Sequence, residues 1–267
     1  MKWTRVISGY LLLLIAVLLV LPSLPISASS SEVYRIPVKN EVEKGLYAFL
    51  QRAFEEAEEA GAEVVILDID TPGGFVDTAG DIGKLMDDTP LTTIAFINND
   101  ALSAGAFIAL HADEIYMVPS GRIGAAAVID GAGNAAEDKA VSAWSTAMIT
   151  AAESSNRNPE YALAMADKSV DLPEYRAPEG KLLTLSANEA LKVGYSEGTV
   201  ASFEELITKL DLSEAKVTSL NETFAEKVAR FVTNPIIVPI LLSIASLGLI
   251  VELYSPGFGI AGTMGLT

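Results

Sequence analysis

The sequence predicts an α/β domain built on a mainly parallel sheet, and three observations predict it. Along the middle of the chain the hydrophobic period alternates between two and 3.6 residues, in the manner of successive βαβ units. The 267 residues, 50% of them hydrophobic and 20% charged, suffice for one such domain and membrane segments, with little room for a second large domain. Two turns rich in small residues, Asp70-Thr71-Pro72-Gly73-Gly74 and Ala101-Leu102-Ser103-Ala104-Gly105, fall where strands would end, at the sheet edge where α/β folds bind ligands.

The elements follow in order. A strand is expected over 33–38. Val42, Leu46, Phe49, Leu50, Ala53, Phe54 and Ala57 then recur at helical spacing and mark one face of a helix that ends at Gly61. Next come a strand over 63–69, a helix over 77–88, a strand over 92–97, a helix over 103–111 and a strand over 114–118, joined by right-handed crossovers. After Pro119 the rhythm breaks. Ser120-Gly121-Arg122-Ile123-Gly124 leads to a strand of small residues, and Asp130-Gly131-Ala132-Gly133-Asn134 marks an exposed loop. Helices over 138–154 and 159–168 precede a proline-punctuated link. Ser186 with Glu189 forms a capping-box pattern, so a strand there gives way to a helix that stops at Gly194.

Both ends are apolar. Lys2 and Arg5, an apolar run over 6–24 and the block Ile26-Ser27-Ala28-Ser29-Ser30 follow the export pattern, so residues 1–30 read as a signal peptide or an uncleaved anchor and the domain beyond as extracytoplasmic. The stretch 235–254, with no basic residue and one acid, Glu252, reads as a transmembrane helix whose Pro235 and Pro239 lie in or near the first turn, where proline costs least. Lys227 and Arg230 ahead of it argue the other way: by the positive-inside rule they would be cytoplasmic. The run from Ser255 to Gly265 looks like a turn into another membrane element, so the protein is expected to continue past Thr267. The chain thus divides into 1–30, a folded domain over 31–232 and the start of a membrane domain over 233–267.

A formal net charge of −17 argues against sequence-independent binding to nucleic-acid phosphate, which needs clustered Lys and Arg. The absence of cysteine removes disulfides, thiolate nucleophiles and thiolate metal sites. With a single histidine a zinc site is not expected, while carboxylate-bound hard metals stay open. No cofactor is called for.

The two turns carry the chemistry. Consecutive glycines can adopt backbone angles closed to other residues and turn an N–H toward a ligand, so Gly73-Gly74 is a candidate oxyanion hole. Ser103 falls at a helix start on the same sheet edge, with the N–H of Ala104 beside it. A serine hydroxyl needs a base, and His111, eight residues along one helix, would lie about 12 Å away. A lysine base must be neutral, which requires its pKa to fall from about 10.4 toward 7 or 8. Lys139 in the following polar segment is the candidate and Lys168 its replacement, although Glu137 and Asp138 oppose such a shift and residue type alone reads Lys139 as solvated. Ser103 could equally be a plain helix cap worth ~1 kcal/mol. Phe75 and the small residues Ala125, Ala126 and Ala127 read either as a substrate groove or as core.

Taken together, the order of apolar strand, Asp-Thr-Pro-Gly-Gly, Ala-Leu-Ser-Ala-Gly-Ala, Ala-Asp-Glu-Ile and Leu-Thr-Leu-Ser-Ala-Asn-Glu-Ala before Gly194 resembles the NfeD family, membrane-bound serine proteases of the ClpP class, over 33–265. The resemblance implies a ClpP/crotonase-like spiral core over 31–232, a Ser/Lys dyad and cleavage of peptide bonds in apolar segments. It assigns Ser103 as nucleophile and Lys139 as base, ahead of a helix ending near Ser155-Asn156-Arg157-Asn158. The N–H groups of Gly74 and Ala104 become the oxyanion donors, with Gly73 and Phe75 contacting substrate. It further implies a peptide or membrane-protein substrate, stomatin- or flotillin-like partners, a membrane location, no metal, and room for a homo-oligomer. Two alternatives stay open beside it. One is a non-catalytic membrane scaffold that keeps the fold; the other, an acyl-CoA enzyme on the crotonase fold, is weaker because an exported domain would not meet CoA.

Overall fold

The structure, a computed structural model, describes residues 32–129, 133–134, 136–234 and 237–254. The export segment, most of the loop expected over 130–134, Pro235 and the turn after 254 lie outside the described residues. Eight strands form one sheet among them: β1 Glu32–Val42, β2 Val64–Gly74, β3 Thr92–Leu102, β4 Glu114–Met117, β5 Arg122–Gly124, β6 Thr184–Ser186, β7 Gly198–Thr199 and β8 Lys216–Ser219. The main path runs β6-β5-β3-β2-β1-β8. Every pairing is parallel except β5 with β6. Strand β3 serves two neighbours, pairing with β4 through residues 94–97 and with β5 through residues 100–102, so the sheet forks along its length.

Strands β1, β2 and β3 run past their expected ends at residues 38, 69 and 97. Asn98-Asn99-Asp100 and Pro72-Gly73-Gly74 carry turn chemistry, yet here they extend strands across irregularities: register shifts fall between Lys39 and Glu41 and between Ile69 and Thr71. Such bulges re-aim a strand without ending it. Asn40 takes up the first with φ 62°, and the Thr71 hydroxyl bonds its carbonyl at 2.5 Å. The fork and both bulges fall at one level, so the last residues of the three strands form a short second tier above the main sheet. That tier holds the candidate site.

Helices cover both faces. Helix α1 (Lys44–Glu59) buries Leu46, Phe49, Leu50, Ala53, Phe54 and Ala57, the stripe its sequence predicts, while Val42 is buried at the end of β1. Helices α2 (Val76–Asp88) and α3 (Ala104–Leu110) follow β2 and β3; α4 (Asp138–Ser154), α5 (Pro159–Ala166) and α6 (Ala187–Lys192) follow β5 and β6. Ser186 and Glu189 make both bonds of the expected capping box. Around Leu46, Phe49, Leu67, Ile82, Ile97 and Met148 one core fills this side of the sheet. On the other side Val33, Ile66, Ile94, Phe96 and Leu206 pack with Phe203 of α7 (Phe203–Lys209). Each fully buried Leu, Ile or Phe contributes roughly 1.5–3 kcal/mol.

Arg157 explains the Ser-Asn-Arg-Asn motif. Its guanidinium is buried and donates to the carbonyls of Ala112 at 2.9 Å, Tyr195 at 3.2 Å and Leu110 at 3.4 Å, with Glu197 3.5 Å away. It therefore ties down the C-terminal end of α3, where carbonyls lack partners within the helix.

Two helices close the described chain, α8 (Phe224–Thr233) and α9 (Ile237–Tyr254). The polar side of α8 is fixed to the domain. Arg52 pairs with Glu226 at 2.7 Å, and Arg230 donates to Glu43 at 2.7 Å, to Glu222, and to the Glu41 and Lys39 carbonyls at 2.9 and 3.1 Å. The Arg230 side chain is only 11% exposed, and its charge is paired within the fold. The helix expected over 235–254 is present from Ile237, but no single helix among the described residues is long and apolar enough to cross a membrane. Helix α8 and residues 237–252 of α9 meet that test only as a pair, bent by 74°.

Two measurements follow from these contacts. Arg157→Ala strands at least three buried carbonyls, and urea denaturation is expected to show a loss of about 3 kcal/mol, with a loss under ~1 kcal/mol contradicting the capping role. The Arg52 guanidinium bonded to Glu226, with help from Thr223, holds the Glu226 carboxyl down to about 2, against 4.5 when free. A depressed carboxyl contributes stability above its unfolded pKa and loses it as pH falls toward its folded one. Wild type should therefore lose stability relative to Glu226→Gln between about pH 4.5 and 2; parallel pH curves for the two proteins would refute the pair.

Candidate active site

The second tier brings Gly73, Gly74, Ser103 and Ala104 together, each for a separate steric reason. Gly73 sits at φ 112°, and a Cβ there would lie 2.4 Å from the Cβ of Ser103. The two turns thus pack on one another with no room for a side chain at Gly73. Gly74 was expected to need unusual backbone angles as well, but its φ is not positive; what excludes a side chain is crowding, since a Cβ would sit 2.1 Å from the Val42 carbonyl oxygen. Gly105 is required in the same sense, its missing Cβ leaving room for the Thr71 methyl, which it would meet at 2.5 Å.

Ser103 occupies the N-cap position of α3 without capping it. Its φ of 53° and ψ of −120° lie outside the extended region a cap residue adopts, and its side chain makes no cap hydrogen bond. For a non-glycine residue this conformation costs of order 1–3 kcal/mol and persists only where neighbours enforce it. Here the enforcement is visible: the Ser103 N–H donates to the Gly124 carbonyl at 2.9 Å, and Ser103 packs on Gly73. The plain-cap alternative is thereby set aside. Ala104 is the first residue of the helix, so its N–H has no acceptor within it. A partial positive charge at that end suits an oxygen that becomes negative.

A cleft of about 470 Å³ opens at this point, bordered by Gly74, Phe75, Val76 and Asp77 on one side, Ser103 and Ala104 at the base, and Ala127, Val128, Ile129 and Trp144 on the other. Its rim is apolar and accessible: Phe75, Val76 and Ile129 are 46%, 41% and 64% exposed. Of the small residues expected along a groove, Ala127 lines it, Ala126 is buried in the core, and Ala125, just before them, takes a positive φ of 46°. Trp144, Val76, Asp77, Val128 and Ile129 were not singled out from the sequence. For Trp144 a signal existed, since a tryptophan amid small residues must find an acceptor for its N–H; it donates to the Ala126 carbonyl at 2.6 Å and stacks on Phe107 at 4.8 Å.

Lys139 stands apart. It lies in the first turn of α4, exposed, and is not among the residues that border the cleft. The buried face of α4 carries Trp144, Ser145, Met148, Ala151 and Ala152; Met148 is nine residues, about two and a half turns, further on, which puts Lys139 on the opposite side. Lys168 is exposed too. His111 is outside the cleft, its Nδ1 2.8 Å from Asp87. Among the described residues no group of three His, Asp or Glu side chains could hold a metal ion.

The chain is similar to several known proteins. The profile of the NfeD1b N-terminal domain matches residues 32–220. The membrane protein NfeD1b of Bacillus subtilis is 53% identical over 239 residues, covering 90% of this chain and 55% of that protein. The membrane-bound protease PH1510 of Pyrococcus horikoshii is 27% identical over 265 residues, covering 95% of this chain and 60% of that protein. The chain therefore spans little more than half the length of these relatives. Among solved structures, a lysine-to-alanine variant of the 1510-N membrane-bound stomatin-specific protease, in complex with a substrate peptide, superposes with a TM-score of 0.67 at 25% identity over 77% of this chain and 99% of that one. A serine-to-alanine variant of the same protease gives 0.63 at 24% identity over 73% and 100%.

The strain at Ser103 is measurable. Ser103→Gly is expected to be about 1 kcal/mol more stable than Ser103→Ala in chemical denaturation, because glycine accepts a positive φ and alanine does not; equal or reversed stabilities would show that the serine backbone is not strained.

Proposed function

The chain belongs to the NfeD1b family, whose N-terminal domain profile covers residues 32–220, and from that premise we propose that it is a serine endopeptidase of the membrane surface with a Ser/Lys dyad. The observation that carries the reading is Ser103 itself, a helix-cap serine that does not cap, forced to positive φ at the base of an apolar-rimmed cleft. Folds hold such strain where function demands it.

In the proposed reaction the Lys139 amine, neutral, takes the Ser103 hydroxyl proton as Oγ attacks the carbonyl carbon of the scissile peptide. The N–H groups of Gly74 and Ala104 hold the oxygen that becomes negative. Collapse of the tetrahedral intermediate breaks the C–N bond, and the lysine passes its proton to the departing amine. Water, deprotonated by the Lys139 amine, then attacks the ester; the C–O bond to Ser103 breaks, the lysine returns its proton to Oγ, and the new carboxylate is released. No cofactor enters. The solved relatives with alanine in place of a lysine and of a serine, one of them holding a substrate peptide, support this pair of residue types. Because Lys139 is exposed in the free chain, the proposal includes an arrangement, with substrate bound or with a second copy, that covers its amine against Ser103.

The substrate class follows from the rim. Exposed Phe75, Val76 and Ile129 suit apolar peptide segments, and stomatin- or flotillin-like membrane proteins are the proposed source, in line with the stomatin-specific relative. Gly73, pressed on Ser103, and Phe75, on the rim, are the proposed substrate contacts. The relatives' names, membrane protein and membrane-bound protease, support a membrane location; an extracytoplasmic domain is the proposed orientation. The exposure of Lys139 favours a second reading, a membrane scaffold that keeps the fold and binds such partners without cleaving them.

Turnover of apolar peptides by the full chain in detergent separates the two. The dyad predicts that Ser103→Ala and Lys139→Ala each lower turnover by at least about 10³-fold, with Lys168→Ala near wild type. Equal turnover in wild type and both dyad variants would reject the dyad; peptide binding with no turnover in wild type would establish the scaffold.

A further inference from the structure

Helix α8 presents an apolar face that stays exposed among the described residues. Phe224, Val228, Phe231 and Val232, spaced four, three and one residues apart, share one side of the helix and are 83%, 44%, 57% and 45% exposed. The opposite side, through Glu226 and Arg230, is the one pinned to Arg52, Glu43 and Glu222. The orientation is therefore fixed by ion pairs on the domain side, and the stripe faces outward by construction.

We propose that α8 lies in the headgroup layer of a phospholipid bilayer, with its apolar stripe in the lipid and its polar side holding the domain against the membrane. The proposal rests on the reading of α9 as membrane-embedded, and continuity with α9 identifies the occupant. Ile237 follows the last residue of α8, Thr233, by four positions, and α9 is apolar and exposed along its length, with Leu242 and Leu247 both 62% exposed. The 74° bend between the helices lays α8 nearly across the axis of α9. A helix entering the bilayer steeply thus leaves its neighbour close to the plane of the surface, the position of interfacial amphipathic helices. Lys227 is exposed at the margin of the stripe, where a basic side chain meets headgroup phosphates. One consequence bears on the cleft. Thr233, the last residue of α8, and Phe75 of the cleft rim border the same cavity of about 300 Å³, so an α8 seated on lipid holds the cleft beside the membrane surface.

The chain has no cysteine, which permits single-site labelling of the full protein. Four variants carry an environment-sensitive fluorophore: Val228→Cys and Phe231→Cys on the stripe, Thr233→Cys on the opposite side, nine residues and two and a half turns from Phe224, and Ile244→Cys in α9. Each is reconstituted into phosphatidylcholine–phosphatidylglycerol vesicles with and without lipids brominated at shallow acyl positions. The proposal predicts quenching by roughly half at positions 228 and 231, little at 233, and quenching at 244. Quenching at 244 with none at 228 and 231 would overturn it, showing that protein covers the stripe; equal quenching at 228 and 233 would overturn the orientation. Absence of quenching at 244 would remove the membrane-embedded α9 and the proposal with it. Peptide turnover, read separately, can fail while the quenching pattern holds, so the two proposals fall independently.

Discussion

The backbone of Ser103 is the constraint on which the rest of the structure turns. Its positive φ is held by a hydrogen bond from its N–H to the Gly124 carbonyl and by contact with Gly73, which leaves no space for a side chain. The neighbours can be read as consequences. Gly105 must be small so that α3 can start against Thr71; Thr71 is buried because its hydroxyl closes the bulge at Asn40; Arg157 secures the far end of the same short helix. A serine placed this way costs the fold stability and returns a hydroxyl at the base of a cleft with unbonded helix N–H groups beside it.

The segment from Lys39 to Glu43 links this site to the end of the chain. Arg230 of α8 bonds the carbonyls of Lys39 and Glu41 and the carboxylate of Glu43, which also caps α1 through the N–H groups of Gly45 and Leu46. Between Glu41 and Glu43 lies Val42, whose carbonyl receives the Phe75 N–H and crowds Gly74. The strand that would donate to the oxyanion therefore packs on the same residues that anchor the amphipathic helix. Few bonded steps separate the proposed membrane contact from the proposed chemistry.

Much of this was legible in the sequence, for physical reasons that differ by element. The α1 stripe, the capping box at Ser186 and the boundaries of α4 are local patterns, and residues three and four apart report them directly. The end of β2 misled because Pro72-Gly73-Gly74 carries turn chemistry; continuation through bulges depends on neighbouring strands that no local window contains. Gly74 was recognised for the wrong reason, since crowding by Val42 is a tertiary fact. Ser103, Ala104, Gly74 and Phe75 do share one cleft, as their positions at strand ends suggested. Trp144 and Ile129 were hidden because they reach that cleft from segments distant in sequence. Lys139 was held as the base on the family resemblance, against a residue type and acidic neighbours that read it as solvated, and in the structure it is exposed on the far side of α4.

The central claim, that this strained serine is a nucleophile rather than a structural oddity, is tested most directly by covalent capture. The intact protein, treated with a fluorophosphonate and digested for mass spectrometry, is predicted to carry a single adduct, on Ser103. An unmodified protein, or adducts scattered over other serines with Ser103 untouched, would contradict the account.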